Sequence, residues 1–197
     1  MNFLAHLYLA EASDESLVGN ILGDFVKGRP ETLQDRFPEG VITGIRQHRA
    51  IDAFTDSHSS FARSRILLPA HRRRLAGVVV DVFYDYFLSQ QWIGGEKARK
   101  DFIHHCYDTL RKHDSWFNPL FREALPRMIS ENWLECYSSL PGLALTFRRI
   151  ASRGPAASPV LGAEEDLANQ LSAFEANYSE FFPQLCRFSR TWTKTHA

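Results

Sequence analysis

Ionisable residues at helical spacing constrain the fold of this chain more than any other feature. His48, Asp52 and Asp56 recur every four residues, so a helix through them would place all three within about 80° on one face. Ile51 and Phe54 point in other directions from the same turns, which predicts that the helix is covered on more than one side. A buried carboxylate must be paired, neutralised or bound to a metal, because desolvating an isolated charge costs several kcal/mol. The pattern fits either a solvated helix face or a partly buried polar site.

Two further carboxylates lie inside an apolar segment. Asp81 and Asp85 are four residues apart within residues 75–88, where Val, Phe, Tyr and Leu predominate. Like charges at this spacing destabilise a helix even in water, by about 0.2–0.5 kcal/mol, and burial makes the conflict worse. We therefore expect a cation beside them, either a metal ion or the guanidinium of an arginine. Both alternatives stay open at this point.

The composition predicts one ordered, all-α domain. The chain has 197 residues, of which 44% are hydrophobic, so it can bury a substantial core within a single domain spanning residues 1–197. Helical periodicity recurs along it, and neither repeats nor strand-like alternation stand out, which favours a single-domain helical bundle. The formal net charge is zero, so we expect no general attraction to nucleic acid or to a membrane surface.

The cysteines and the apolar segments favour a cytoplasmic protein. Cys106, Cys136 and Cys186 are too widely spaced to indicate a disulfide framework or a zinc knuckle. Residues 1–12 lack an early basic residue and would make a poor secretory signal. No apolar stretch approaches the length of a membrane span, so membrane insertion is not expected.

Candidate ligands also lie near the start of the chain. His6 falls within a predicted first helix that is apolar nearly all round, so it is either a satisfied core histidine or a metal ligand. Asn20 and Asp24 share one face of a second predicted helix, which we expect to begin at an N-cap formed by Ser13 or Asp14 and to continue through Phe25 until Gly28 and Pro30 end it. The carboxylate of Asp24 could instead pair at the surface with Lys27.

Basic residues form two groups that could meet an anion. Lys27 lies at the predicted end of the second helix, and Arg46 and Arg49 flank His48, so these three side chains could offset the charge of a phosphate. The other group surrounds a turn predicted at Pro69 and comprises Arg63, Arg65, Arg72, Arg73 and Arg74. Such a cluster is usually a solvated face, but in a chain without net charge it is also an obvious docking patch for an acidic partner.

Several catalytic classes are disfavoured by missing motifs. The chain has no Gly-x-Ser-x-Gly, no Gly-x-x-x-x-Gly-Lys, no His-Glu-x-x-His and no Glu-x-x-His segment, which argues against serine hydrolases, phosphate-binding loops, zincins and ferritin-type di-iron bundles. What remains is a helical shell around histidine and aspartate. These ligand types suit Mn²⁺ or Mg²⁺ better than a structural zinc, and such ions often polarise a phosphoryl oxygen and supply a hydroxide at neutral pH.

Four motifs, in order along the chain, carry a family resemblance. They are Met-Asn-Phe-Leu-Ala-His at the start, Gly19-Asn20-x-x-Gly23-Asp24-Phe25, His48-Arg49-x-Ile51-Asp52-x-x-Thr55-Asp56 and Asp81-Val82-x-x-Asp85. Together they resemble the acyl carrier protein phosphodiesterases, and the likeness extends to Trp133-Leu134 and Ala151-Ser152-Arg153. The resemblance implies a helical fold like that of the HD phosphohydrolases and a metal-dependent enzyme, generally using manganese. Such an enzyme releases 4'-phosphopantetheine from holo acyl carrier protein.

The resemblance also implies roles for individual residues. We expect Mn²⁺, or Mg²⁺, to be bound by Asp24, His48, Asp52 and Asp81. Proton transfer and support of the reaction would fall to His6, Asp56 and Asp85. Substrate contacts would come from Asn20, Lys27, Arg46 and Arg49, with the acidic carrier protein docking on the arginines at 63, 65 and 72–74.

Two alternative functions stay open. The first is a metal phosphohydrolase of the HD type that acts on a nucleotide or another small phosphoester, for which the arginine cluster at 63–74 would be incidental. The second is a non-catalytic helical module that binds an acidic protein, with structural aspartates. Stoichiometric uptake of manganese that depends on Asp52 would exclude the second alternative.

Overall fold

The chain folds into α-helices joined by short turns and 3-10 segments. A computed structural model describes the backbone of residues 1–196 and the side chains of residues 1–29 and 32–196. Over this range it contains no strand, so the all-α prediction is confirmed. The helices are α1 (Phe3–Leu9), α2 (Asp14–Leu22), α3 (Glu39–Ser57), α4 (Ser59–Leu67), α5 (Ala76–Gln90), α6 (Gly95–Lys112), α7 (Pro119–Ser130), α8 (Leu140–Ala151), α9 (Ala163–Asn169) and α10 (Leu171–His196).

Helix α2 starts where the sequence predicts but ends early. The Ser13 side chain accepts a hydrogen bond from the Ser16 N–H at 3.2 Å and caps the helix, an interaction that stabilises a helix by about 1 kcal/mol. The predicted continuation to Phe25 is wrong, because α2 ends at Leu22 and a turn follows. Gly23 has low helix propensity, and the Phe25 N–H bonds to the Leu22 carbonyl, three residues back, at 2.9 Å. Asp24 therefore lies on a turn.

Helices α2 and α3 run parallel with their backbones almost in contact. A Cβ atom on Gly19 would lie 2.3 Å from the Val41 carbonyl oxygen, and one on Gly44 would lie 2.9 Å from the Gly19 Cα. Only glycine permits so close an approach. The same contact continues at Gly23, where a Cβ would lie 2.2 Å from Cγ of His48. The short distance between the helices brings the end of α2 directly against the His48 ring.

Helix α5 runs through the interior, so its two carboxylates lie among apolar side chains, which is unusual for charged groups. Most of its side chains are buried, among them Val79, Val80, Val82, Phe83, Tyr84, Phe87 and Leu88. The Tyr84 ring packs against Phe61, Tyr178 and Phe181 from α4 and α10. Asp81 and Asp85 thus sit on a helix covered from several sides. None of the helices within residues 1–196 has the length and apolar character needed to cross a bilayer.

The C-terminal part differs from the sequence prediction by one break. The periodicity from Leu167 to Leu185 predicts one long helix, whereas the structure has α9 and α10, separated at Gln170. The Gln170 side chain donates to the Leu67 carbonyl at 3.1 Å, so a tertiary contact holds the break. Helix α10 then continues to His196 and reaches back to α3 and α4.

Candidate active site

His48 is the centre of the polar cluster. Its Nδ1 lies 2.7 Å from the backbone carbonyl oxygen of Asn20, and because a carbonyl only accepts, Nδ1 must carry the proton. The other ring nitrogen, Nε2, lies 3.1 Å from Oδ2 of Asp52 and 3.4 Å from Oδ1 of Asp24. A protein carbonyl therefore orients the ring, and Nε2 is directed at two carboxylates.

His6 reaches the same place from helix α1. Its ring stacks on His48 with centroids 3.8 Å apart, and only 1% of the residue is exposed. His6 Nε2 lies 3.1 Å from Oδ1 of Asp52, but the pair lacks hydrogen-bond geometry, and neither ring nitrogen has a hydrogen-bond partner among the described residues. Buried polar atoms are rarely left in this state, because an unmade hydrogen bond is costly. The ring is therefore arranged to meet a ligand that the chain itself does not supply.

The two histidines have opposite proton affinities. Burial and the neighbouring His48 lower the pKa of His6 to about 4, so its ring is neutral near pH 7. Burial also acts to lower the pKa of His48, but hydrogen bonds to Asp24 and Asp52 outweigh it and raise that pKa to about 9. Burial opposes ionisation of Asp52, yet the close approach of His48, His6 and the Met1 ammonium brings its pKa well below the usual range. The cluster thus offers a neutral imidazole beside an ionised carboxylate.

The ligand atoms of His6, His48 and Asp52 converge closely enough to share one metal ion. One ligand atom from each lies within 4.8 Å of the others. Asp24, whose side chain is 47% exposed, approaches the same nitrogen of His48 from the solvent side. The carbonyl on Nδ1 of His48 matches the usual outer partner of a metal-bound histidine. His6, His48 and Asp52 fit a divalent ion, because an ion would satisfy the His6 nitrogen and neutralise the Asp52 carboxylate.

Asp81 lies one step outside this group, beside a cation that the sequence pattern did not identify. The Met1 ammonium nitrogen lies 2.9 Å from Oδ1 of Asp81 and 3.4 Å from Oδ1 of Asp52. It supplies the positive charge that the Asp81 and Asp85 pair was predicted to need, without metal or arginine. Asp81 is not among the converging ligand atoms, in contrast to its predicted role as a ligand. No sequence pattern indicates where a terminal ammonium will lie.

Asp85 holds helix α1 in place. Its two carboxylate oxygens accept the backbone N–H groups of Leu4 at 2.9 Å and Ala5 at 3.3 Å. The residue is fully buried, and burial raises the pKa of Asp85 to about 8. The predicted role in proton transfer is corrected, because both oxygens are engaged at the helix end and have no access to substrate. Asp85 instead fixes the helix that carries His6.

Asn20 also supports the site, from the interior side of His48. Its side-chain amide is buried and donates to the Ser16 carbonyl at 3.0 Å and to Oε1 of Gln47 at 2.8 Å. The predicted substrate contact is therefore corrected, since the amide faces the interior and only the backbone carbonyl meets His48. Sequence reasoning missed Gln47, whose Nε2 donates to the Leu9 carbonyl at 2.9 Å. Its place directly before His48 is the one signal that could have identified it.

The basic residues near His48 differ in their availability. Arg49 donates to the carbonyls of Gly28 and Val26, both at 2.8 Å, so it anchors the loop instead of facing substrate as predicted. Lys27 lies between these two carbonyls in the chain and is exposed. Arg46 donates to Glu39, one of its partners, at 2.9 Å along the surface of α3. Asp56 is exposed one turn beyond Asp52 on the same helix.

The arginine cluster is divided between interior and surface. Arg72 is 6% exposed, and its guanidinium bonds to Asp166 and to the carbonyls of Pro159 and Leu161. Its predicted place on a docking surface is wrong, because every one of these bonds faces inward. Arg73 and Arg74 are exposed, as is Arg65, whereas Arg63 pairs with Glu180. Arg73 and Arg74 precede α5, and Asp81 lies five residues, about 8 Å of helix rise, beyond the start of that helix.

Comparisons with known proteins agree on one family. The family model described as acyl carrier protein phosphodiesterase matches residues 1–185. A protein of that name from Photorhabdus laumondii subsp. laumondii is 34% identical over 187 residues, which cover 94% of this chain and 93% of the relative. Relatives of the same name from Yersinia pestis and Klebsiella pneumoniae strain 342 are each 32% identical, covering 95% and 96% of this chain and 96% and 97% of their own lengths.

The comparison with solved structures found no match, so the predicted likeness to the HD fold rests on sequence alone. The family model and the curated relatives span nearly the whole chain, including every residue of the His6, His48, Asp52 and Asp24 cluster. The chain therefore belongs to the acyl carrier protein phosphodiesterase family.

Proposed function

We propose that this chain hydrolyses the phosphodiester that links 4'-phosphopantetheine to a serine of holo acyl carrier protein. The observation that carries the proposal is the buried His6 ring, whose nitrogens lack partners beside His48 and Asp52. The names of the relatives supply the substrate class. Neither a small phosphoester nor a non-catalytic binding role is favoured by any of these relatives.

We propose that His6, His48, Asp52 and Asp24 hold a divalent ion. When bound, such an ion polarises the phosphoryl oxygen and makes water a stronger nucleophile. The set contains two imidazoles and is less oxygen-rich than the sequence alone suggested, which favours Mn²⁺ over Mg²⁺, because Mg²⁺ prefers oxygen ligands. Without an ion, the raised pKa of His48 keeps a proton on Nε2, and this nitrogen would give up that proton in order to hold an ion.

The remaining residues position the reacting groups. Asn20 orients His48 through its carbonyl, Asp85 anchors the helix that carries His6, and Arg49 fixes the loop that presents Lys27. The ammonium of Lys27 would offset charge on the phosphate. Asp56 exposes a carboxylate next to the cluster that can take a proton from water.

The bond changes are those of an ordinary phosphodiester hydrolysis. The oxygen of water forms a bond to phosphorus, the bond between phosphorus and the serine oxygen breaks, and the serine oxygen takes up a proton. The products are apo acyl carrier protein and 4'-phosphopantetheine. Acidic carrier protein would approach the exposed Arg65, Arg73 and Arg74, where opposite charges favour encounter.

Mass spectrometry of the carrier protein tests the proposal. Holo acyl carrier protein is incubated with the enzyme in ¹⁸O-labelled water, with Mn²⁺ or with a chelator. We expect loss of the arm only with Mn²⁺, and the label in released 4'-phosphopantetheine, because water attacks phosphorus. Arm release in the presence of chelator would contradict the metal site, and label in the serine would contradict attack at phosphorus. Intact holo protein under all conditions would contradict the function.

A further inference from the structure

Aromatic rings form a ledge beside the most exposed member of the ligand set. Phe25 directly follows Asp24, and its ring lies 4.6 Å from that of Phe121 and 6.4 Å from that of Phe3, centroid to centroid. Phe3 and Phe25 are only partly buried at the edge of the core, whereas Phe121 is buried. We call these three residues the aromatic ledge. It joins the starts of α1 and α7 to the turn after α2.

The aromatic ledge adjoins the polar cluster at two of its members. Close contacts connect Asp24 to His48, His48 to Asp52, Asp52 to the Met1 ammonium and that ammonium to Asp81. Phe25 directly follows Asp24, and Phe3 is two residues from Met1, so the ledge adjoins two groups of this series. A phosphodiester bound at the cluster has two ester substituents, which must leave it in different directions.

The two ester substituents differ in chemistry. One is an acidic protein, which suits exposed cations. The other is an uncharged chain with apolar groups, which suits phenyl rings. In 4'-phosphopantetheine a gem-dimethyl carbon lies next to the phosphate-bearing methylene, followed by amides and a thiol. These methyl groups are the apolar part of the arm nearest the phosphate, and Phe25 is the aromatic residue directly after a member of the cluster.

We propose that the aromatic ledge binds the pantetheine arm next to the phosphate, with Phe25 as the principal contact. This inference rests on the proposed function, because it takes the phosphate position from the His48 cluster. The ledge is formed before substrate arrives, since Arg49 holds the carbonyls of Val26 and Gly28 just after Phe25. A binding surface fixed in advance loses less conformational entropy when it binds.

Product inhibition separates binding of the arm from binding of the phosphate. Hydrolysis of holo acyl carrier protein is measured with 4'-phosphopantetheine or with inorganic phosphate as inhibitor. For Phe25→Ala we expect the inhibition constant of 4'-phosphopantetheine to rise at least tenfold, and that of phosphate to stay within about twofold. Phe25→Leu should retain most of the affinity. Phe102→Ala removes another partly buried ring, which contacts Trp92, and should leave both constants unchanged.

Equal changes for both inhibitors, or no change for either, would overturn the ledge. A wild-type protein that releases no arm would instead count against the proposed function, so the two failures are distinguishable. If Phe25→Ala does not fold, saturation-transfer NMR on the wild type with Mg²⁺ gives a second measurement. Irradiation of aromatic protons should saturate the gem-dimethyl signal of 4'-phosphopantetheine most strongly, and saturation confined to the thiol end would overturn the proposal.

Discussion

Two parts of the molecule bury charged side chains, and they treat them in opposite ways. Around Arg72 the guanidinium meets the Asp166 carboxylate and the carbonyls of Pro159 and Leu161, so its donors have partners within the chain. Around His48 the carboxylates of Asp24 and Asp52 both meet the same ring nitrogen, Nε2, and the nearby His6 ring has no hydrogen-bond partner among the residues described. We call the Arg72 group the closed arrangement, because the chain itself supplies the partners of the charge. We call the His48 group the incomplete arrangement, because the nitrogens of His6 have no hydrogen-bond partner in the described part of the chain.

Whether a buried polar group finds its partners within the chain distinguishes structural groups from functional ones more reliably than burial does. Arg72 and His6 are both almost fully buried, at 6% and 1% exposure, so accessibility alone would rank them together. What distinguishes them is whether the chain completes their interactions. A buried group that is left incomplete indicates a ligand, because the unmade interaction would otherwise lower stability.

The largest expected effect concerns the closed arrangement. Arg72→Ala leaves Asp166 without its partner, and breaking a buried pair in this way destabilises a protein by about 3–5 kcal/mol. For a chain of this length we expect the thermal midpoint to fall by about 6–20 °C. Differential scanning calorimetry measures the change, with the exposed neighbour Arg73→Ala as the control. Equal midpoints for the two variants would show that the Arg72 pair is not a structural element.

The next effect concerns the incomplete arrangement. Asp52→Asn removes a ligand and a hydrogen-bond partner of His48, so we expect turnover of holo acyl carrier protein to fall by at least about hundredfold. The thermal midpoint should fall less than in Arg72→Ala, because the Asp52 side chain is 40% exposed. In the metal-free variant the pKa of His48 should drop below the wild-type value of about 9, which an NMR titration can follow. Unchanged turnover would remove Asp52 from the site.

A smaller effect tests the support behind His48. Gln47 donates to Leu9 and to the hydroxyls of Ser189 and Thr193, so it ties α3 to α1 and to the end of α10. Gln47→Leu keeps the volume but leaves the Asn20 amide short of an acceptor, and we expect the Mn²⁺ dissociation constant to rise about tenfold. Calorimetric titration measures it. Gln184→Leu on the exposed side of α10 is the matched control, and a similar rise there would contradict a specific role for Gln47.

The smallest expected effect concerns the exposed arginines. Replacing Arg73 and Arg74 together by serine should raise KM for holo acyl carrier protein severalfold at low salt and leave kcat unchanged. The difference from wild type should disappear as ionic strength rises, because exposed charges are screened. Arg153→Ser, at an exposed position after α8, serves as the control. A loss that persists in high salt would mean that these arginines act through structure, as Arg72 does.

Periodicity along the sequence predicted the elements of the site better than their roles. It placed His48 and Asp52 on one helix and identified the unusual carboxylates of α5, because side-chain direction follows directly from helical spacing. It could not separate Arg72 from Arg73, since the partner Asp166 is distant in the chain and becomes a neighbour only through folding. The same limit hid Gln47, whose partners come from α1 and α10.

Some features could have been inferred from the sequence but were not. Gly19 and Gly23 are four residues apart, as are Gly40 and Gly44, and such spacing aligns small residues along one side of a helix. This pattern would have predicted close contact between two helices. The early end of α2 is harder to foresee, because it depends on how Gly23 meets the His48 ring.

The glycines between α2 and α3 make the spacing of the site depend on the absence of side-chain atoms. Adding one methyl group at Gly19 would force the two backbones apart, and Asp24, on the turn that follows α2, would move away from His48. The affinity for an ion would then depend on the distance between the two helices. Residues outside the proposed ligand set would thus decide how well an ion fits, through the spacing of the two helices.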